Sequence, residues 1–151
     1  MRAESIDPER KIVTLSDGEK LGYEKLLVAT GSRPFDRPME GIEHVKEHFH
    51  FMTKADALAL DKALSSEKRV LIVGAGLIGL KCFEGIAARV KSARFVDLAP
   101  RILPAILDET GAKMVQSALE ARGAAFFLSD SVLRFEGNTA HLKSGKTVAF
   151  D

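Results

Sequence analysis

Arg69-Val-Leu-Ile-Val-Gly-Ala-Gly-Leu-Ile-Gly79 is the stretch that decides the fold. An apolar run of strand character feeds straight into Gly74, Gly76 and Gly79, and an acid, Asp97, follows eighteen residues after the last glycine. Gly74 allows a tight turn out of the strand, Gly76 lets the backbone close on a pyrophosphate, and Gly79 lets the next helix pack against the sheet. Gly74, Ala75, Gly76, Leu77, Ile78 and Gly79 are therefore the candidate dinucleotide-binding turn. The phosphates would sit at a helix N-terminus, where free N–H groups and the positive end of the helix dipole favour an anion without a basic side chain. The alternative is a glycine-rich turn in some other βαβ unit. Context argues against it: Val70 to Val73 read as a buried parallel strand, Leu77 to Val90 as a helix and Ala93 to Asp97 as the next strand.

Asp97 bears on which nucleotide is taken. A carboxylate at the end of the second strand accepts hydrogen bonds from ribose hydroxyls and repels a 2′-phosphate, which favours NAD over NADP. Arg101, Arg94 and Lys91 are close in sequence and could serve a phosphate instead, so both cofactors stay open.

Composition fits a single α/β core. The chain has 151 residues, 46% hydrophobic and 28% charged, enough for one good core. Its net charge of +1 gives no electrostatic footprint for nucleic acid or an anionic membrane. One cysteine excludes an internal disulfide and suits a reducing cytoplasm. No run is long and apolar enough for a membrane span or a targeting segment, so the chain reads as soluble and cytoplasmic.

Along the chain, Lys11 to Leu15, Lys20 to Tyr23 and Lys25 to Thr30 read as short strands, with Ser16-Asp17-Gly18 as a turn. Gly31 to Gly41 is a connector. Thr53-x-x-Asp56 resembles a capping box ahead of a helix whose apolar face is Ala57, Leu60, Ala63 and Leu64. A second amphipathic helix runs from Asp108 to Arg122 through Met114, Val115, Ala118 and Leu119, and Gly123 stops it. Ala124 to Leu128 reads as a third parallel strand, and Ser131 to Phe150 as a meander. The expected fold class is α/β: a Rossmann-like parallel sheet with helices on both faces plus a small antiparallel β-meander.

An internal repeat organises these elements. Leu15-Ser-Asp-Gly-Glu-Lys-Leu-Gly-Tyr-Glu24 matches Leu142-Lys-Ser-Gly-Lys-Thr-Val-Ala-Phe-Asp151 position for position. The first copy goes on to Lys25-Leu-Leu-Val-Ala-Thr-Gly31. The second stops where an equivalent strand is expected, so both ends read as cut from a longer protein. The strand Lys25 to Thr30 would then fill the vacant slot in its own parallel sheet or swap into a neighbour, giving a strand-swapped homodimer.

Tyr23-Glu-Lys-Leu-Leu-Val-Ala-Thr-Gly-Ser-Arg-Pro34, the glycine run, and Val96-Asp-Leu-Ala-Pro-Arg-Ile-Leu-Pro104 together resemble the pyridine nucleotide-disulfide oxidoreductase family. The likeness is to the NADH oxidase, nitrite reductase and rubredoxin reductase type, in which an NAD(P)-binding domain interrupts an FAD-binding domain. The resemblance implies that residues 1–35 are a remnant of the FAD domain and 36–151 an NAD(P)-binding domain. It implies hydride transfer from nicotinamide to flavin in the intact parent, with electrons passed to an acceptor that the sequence does not name, and a missing FAD-binding half as partner. It also implies that Gly74, Gly76 and Gly79 hold the pyrophosphate, that Asp97 holds the ribose, and that Thr30 and Gly31 lie against FAD. Many relatives carry a glutamate two residues after the third glycine. Here Lys81 stands there, which reverses the charge near the nicotinamide and can favour NADPH, or simply points into solvent.

Cys82 shares a helical face with Gly79, Phe83, Ile86 and Val90 and reads as a small core residue, not a redox centre. His44, His48 and His50 lack a completing cysteine or acid cluster and read as surface histidines; no metal is expected. The charge run Lys62 to Arg69 is a solvated helix end. Two function classes remain: the nicotinamide-binding part of an FAD-dependent oxidoreductase, inactive on its own, or a free-standing NAD-binding or redox-sensing module acting through a partner.

Overall fold

The computed structural model describes residues 1–35 and 37–151; Asp36, inside the expected connector, lies outside them. The chain forms two compact units, Met1–Arg33 and Pro34–Asp151.

The first unit is an antiparallel meander of β1 (Ala3–Asp7), β2 (Ile12–Leu15) and β3 (Lys20–Gly22) in spatial order. Its first strand was not expected. The sequence Ala-Glu-Ser-Ile-Asp is almost wholly exposed and lacks an apolar face, so backbone pairing with β2 alone defines it. Residues 25–30 were expected to be a strand and are not. They carry no regular structure and are exposed, with Leu27 at 87%.

In the second unit a single 3-10 turn at Ile42–His44 precedes α1 (Lys54–Ala63). The capping box is present: the Thr53 hydroxyl accepts from the Asp56 N–H at 3.1 Å, and the Asp56 carboxylate accepts from the Thr53 N–H at 2.8 Å. Then follow β4 (Arg69–Val73), α2 (Leu77–Ile86), β5 (Ser92–Val96), α3 (Glu109–Glu120) and β6 (Ala124–Phe127). The three strands make one parallel sheet in the order β4-β5-β6, with Val70 beside Ala93 and Ala93 beside Ala124. Gly123, at φ 92, ends the last helical turn as expected. Residues 25–30 are not among the strands of this sheet.

Strand pleating sorts side chains to two faces. Ala93, Phe95, Ala124 and Phe126 pack with Leu80 and Phe83 of α2 and Ala112, Val115 and Leu119 of α3. Val70 and Ile72 meet Leu60 of α1 with Cys82 and Ile86 of α2. On the opposite face, Leu71, Val96 and Phe127 pack against Ala140, Leu142, Val148 and Phe150. These last four come from a second meander, β7 (Val132–Glu136), β8 (Thr139–Leu142) and β9 (Thr147–Ala149), or directly follow it. The parallel sheet, helices and meander are those expected, but the second face is covered by the meander instead of by a helix. Met114, expected on the apolar face of α3, is 70% exposed.

The repeat in sequence is a repeat in structure. Gly18 N–H donates to Leu15 O and Gly145 N–H to Leu142 O, both at 3.0 Å. Tyr23 N–H donates to Lys11 O and Phe150 N–H to Asn138 O, both at 2.9 Å. The two turn glycines have φ of 86° and 85°, which a side chain would resist.

Candidate dinucleotide site

The site is the junction between β4 and α2, and its glycines have different reasons to be glycine. Gly74 has φ +114, open only to glycine. A Cβ on Gly79 would lie 2.2 Å from the Gly74 carbonyl oxygen, so the first turn of α2 can sit on the loop only without one. Gly76 differs: its backbone is extended and a Cβ there would meet nothing within 4 Å. The space beside Gly76 is open, which leaves room for a ligand to approach its backbone.

α2 starts at Gly76 with no side-chain cap. α1 and α3 are both capped, by Thr53 and by Asp108. The N–H groups of the first turn of α2 are thus left without a side-chain acceptor, and the helix dipole adds a positive field there. Around this point Val73, Leu77, Ile78 and Leu98 are all more than half exposed, an apolar rim that the strand-and-helix pattern alone would have assigned to the core.

Asp97 lies one residue past β5 and reaches the turn. Its Oδ2 accepts the Ala75 N–H at 2.6 Å, and its Oδ1 accepts the Ala99 N–H at 2.7 Å. Each oxygen retains a lone pair for a further donor. Asp97 N–H donates to Phe127 O at 3.0 Å, and Gly74 N–H to Val96 O at 2.8 Å, so the strand ends are tied as well. The bond from Ala75 to Asp97 was not readable from the sequence; the glycine-to-acid spacing was its only trace.

Two of the basic residues near Asp97, Arg94 and Arg101, are engaged elsewhere. Arg94 donates from Nη1 to Ala149 O at 3.2 Å. Arg101 donates from Nε to Leu107 O and from Nη2 to Pro104 O, each at 3.3 Å. Lys81 Nζ bonds Glu84 Oε2 at 2.5 Å on the exposed surface of α2, and this ion pair holds the Glu84 carboxyl below the usual carboxylate range. Thr30 and Gly31 are exposed residues of the first unit, Gly31 at φ +75. That unit consists of the three strands β1–β3 and holds no helix.

Cys82 is 8% exposed in the cluster with Leu60 and Ile86, and burial raises its thiol above the ordinary range, as a core residue requires. Among the described residues no helix is long and apolar enough to cross a membrane.

The sequence model of the pyridine nucleotide-disulphide oxidoreductase family matches residues 1–151. The NADH-dependent phenylglyoxylate dehydrogenase subunit epsilon of Aromatoleum evansii is 30% identical over 97% of this chain and 36% of its own length. The rubredoxin-NAD(+) reductase of Pseudomonas putida is 30% identical over 97% of this chain and 39% of its own. Among solved structures, a ferredoxin reductase from Rhodopseudomonas palustris superposes with a TM-score of 0.83 at 22% identity, covering 99% of this chain and 38% of that one. An FAD-dependent pyridine nucleotide-disulphide oxidoreductase from Desulfovibrio vulgaris superposes with a TM-score of 0.71 at 27% identity, covering 99% and 41%. The chain thus spans about two fifths or less of the length of these relatives. By sequence and by fold, the chain belongs to the pyridine nucleotide-disulphide oxidoreductase family.

Proposed function

We propose that residues 34–151 are the nicotinamide-dinucleotide-binding domain of an FAD-dependent oxidoreductase, with NADH the preferred ligand, and that residues 1–33 belong to its flavin-binding part. The observation that carries this reading is the β4–α2 junction, where an open glycine backbone and an uncapped helix start adjoin a carboxylate at the end of the next strand. Gly76 and the first-turn N–H groups of α2 would hold the pyrophosphate. The free lone pairs of Asp97 would accept the ribose hydroxyls, and its charge would repel a 2′-phosphate. A bound nicotinamide supplies a hydride for transfer to flavin. The protein's own part is to hold the adenine half rigidly and to leave the apolar rim of Val73, Leu77 and Ile78 for contact with the rest of the parent protein.

Two relatives whose names specify NADH or NAD(+), each about 30% identical, support the choice of nucleotide. Their greater length favours a domain of a larger flavoprotein over a free-standing module. A calorimetric titration of the purified chain with NADH tests the proposal. Binding of one NADH per chain without co-purified flavin is expected. No heat at millimolar NADH, or a yellow protein with stoichiometric flavin, would overturn it.

A further inference from the structure

The middle residue of the glycine turn, Ala75, is completely buried, and both of its backbone groups bond outside the turn. Its N–H donates to the Asp97 carboxylate at 2.6 Å, and its carbonyl accepts from the Leu103 N–H at 3.1 Å. The turn is therefore gripped from two sides by the loop that follows β5. Leu103 makes its bond from φ 47, a left-handed conformation that a leucine holds only when its surroundings impose it.

Those surroundings can be named. Ile102 is fully buried in the core and anchors one side of the loop. Leu103 O accepts from the N–H groups of Ile106 and Leu107, both at 2.9 Å, which makes residues 103–107 a single tight turn. Arg101 bridges it: Nε of its guanidinium reaches Leu107 O at the end of that turn, and Nη2 reaches the O of its second residue, Pro104. A rigid planar fork fixes two acceptors relative to each other, which an ammonium cannot do.

We propose that Arg101 is a positioning residue for the dinucleotide turn: it holds the 103–107 turn in the shape that delivers the Leu103 N–H to Ala75, and so preorganises Gly74–Gly76 for a pyrophosphate. Its charge is spent on loop carbonyls and does not read the 2′ position. The inference rests on the nucleotide-binding reading above, but its first test needs no nucleotide.

Amide hydrogen exchange on the full chain, followed residue by residue, compares wild type with Arg101→Ala and Arg101→Lys. In Arg101→Ala the Ala75 and Leu103 amides should exchange about tenfold faster or more, while Phe150, bonded in the distant meander, keeps its rate. Arg101→Lys should fall between. Titrations with NADH and with NADPH should both weaken, by the same factor. Unchanged exchange at Ala75 and Leu103 would overturn the proposal, as would equal acceleration at Phe150, which would mean general loosening. Selective loss of NADPH affinity would overturn it too, by making Arg101 a phosphate ligand. A wild-type chain that binds neither nucleotide would sink the functional reading, while the exchange rates would still decide the role of Arg101.

Discussion

Asp151 closes on Arg69 through four hydrogen bonds. Its carboxylate accepts from Arg69 Nε and Nη2, each at 2.8 Å, and from the Arg69 N–H at 3.0 Å, while its own N–H donates to Arg69 O at 3.0 Å. This pair fastens the chain leaving β9 to the first residue of β4. The Arg69 guanidinium and backbone N–H hold the Asp151 carboxyl far below the usual carboxylate range. A carboxyl whose pKa is depressed by folding stabilises the fold above its unfolded value, near 3.8, and loses that contribution as pH falls through its folded value. Asp151→Asn should therefore lower the melting temperature at pH 7 and narrow the gap to wild type as the pH drops below about 4. Melting curves from pH 7 to pH 2 check this; a gap independent of pH would mean that the charge contributes nothing.

Two glycines of the turn, Gly76 and Gly79, should separate folding from binding. Gly76→Ala puts a Cβ into open space at a φ of −82, so the melting temperature should be unchanged while NADH affinity is lost. Gly79→Ala drives a Cβ to 2.2 Å from the Gly74 oxygen, which must move, at a cost of about 1–3 kcal/mol. Thermal melts and NADH titrations of both variants would show the contrast. Equal destabilisation by the two would contradict the geometry at Gly76.

Asp97 is expected to read the ribose as well as to bind Ala75. Asp97→Asn removes the charge that repels a 2′-phosphate and leaves one of two backbone donors facing an amide, so NADH should weaken and NADPH gain relative to it. The change in the affinity ratio should be on the order of 1–3 kcal/mol. If the ratio stays constant while both affinities fall, Asp97 serves the turn and not the choice of cofactor.

What could be read in the sequence was whatever depends on local spacing. The apolar run at 69–73 with three glycines defined β4 and the start of α2, Thr53 and Asp56 defined the start of α1, and the repeated Leu-x-x-Gly turns defined both meanders. The rest depends on distant partners. β1 leaves no apolar pattern in the sequence because its side chains are exposed and only its backbone pairs. Residues 25–30 misled in the opposite way: Leu-Leu-Val-Ala has strand composition, but a strand exists only beside another, and none pairs with it among the described residues. Within the site, the glycines and Asp97 announced themselves, whereas the grip of Leu103 on Ala75 and the Arg101 fork needed three-dimensional proximity that no spacing rule encodes. Arg101 stood out for its charge, and its bonds to carbonyls gave that charge a different meaning.

The separate compactness of the two units yields a last prediction, opposite to the strand-filling expectation. All three core clusters of Pro34–Asp151 draw on residues between Val45 and Phe150. The glycine turn, Asp97 and the 103–107 turn belong to that unit as well. Removing residues 1–33 takes away an exposed meander and the apolar stretch of Leu26, Leu27 and Val28. The shortened chain should therefore melt at the same temperature as the full chain, bind NADH with the same affinity and be the more soluble of the two, since exposed apolar segments promote association. Sedimentation velocity run beside the melting curves distinguishes this from strand exchange. A full-length dimer that becomes a less stable monomer on truncation would instead support residues 25–30 completing a neighbour's sheet.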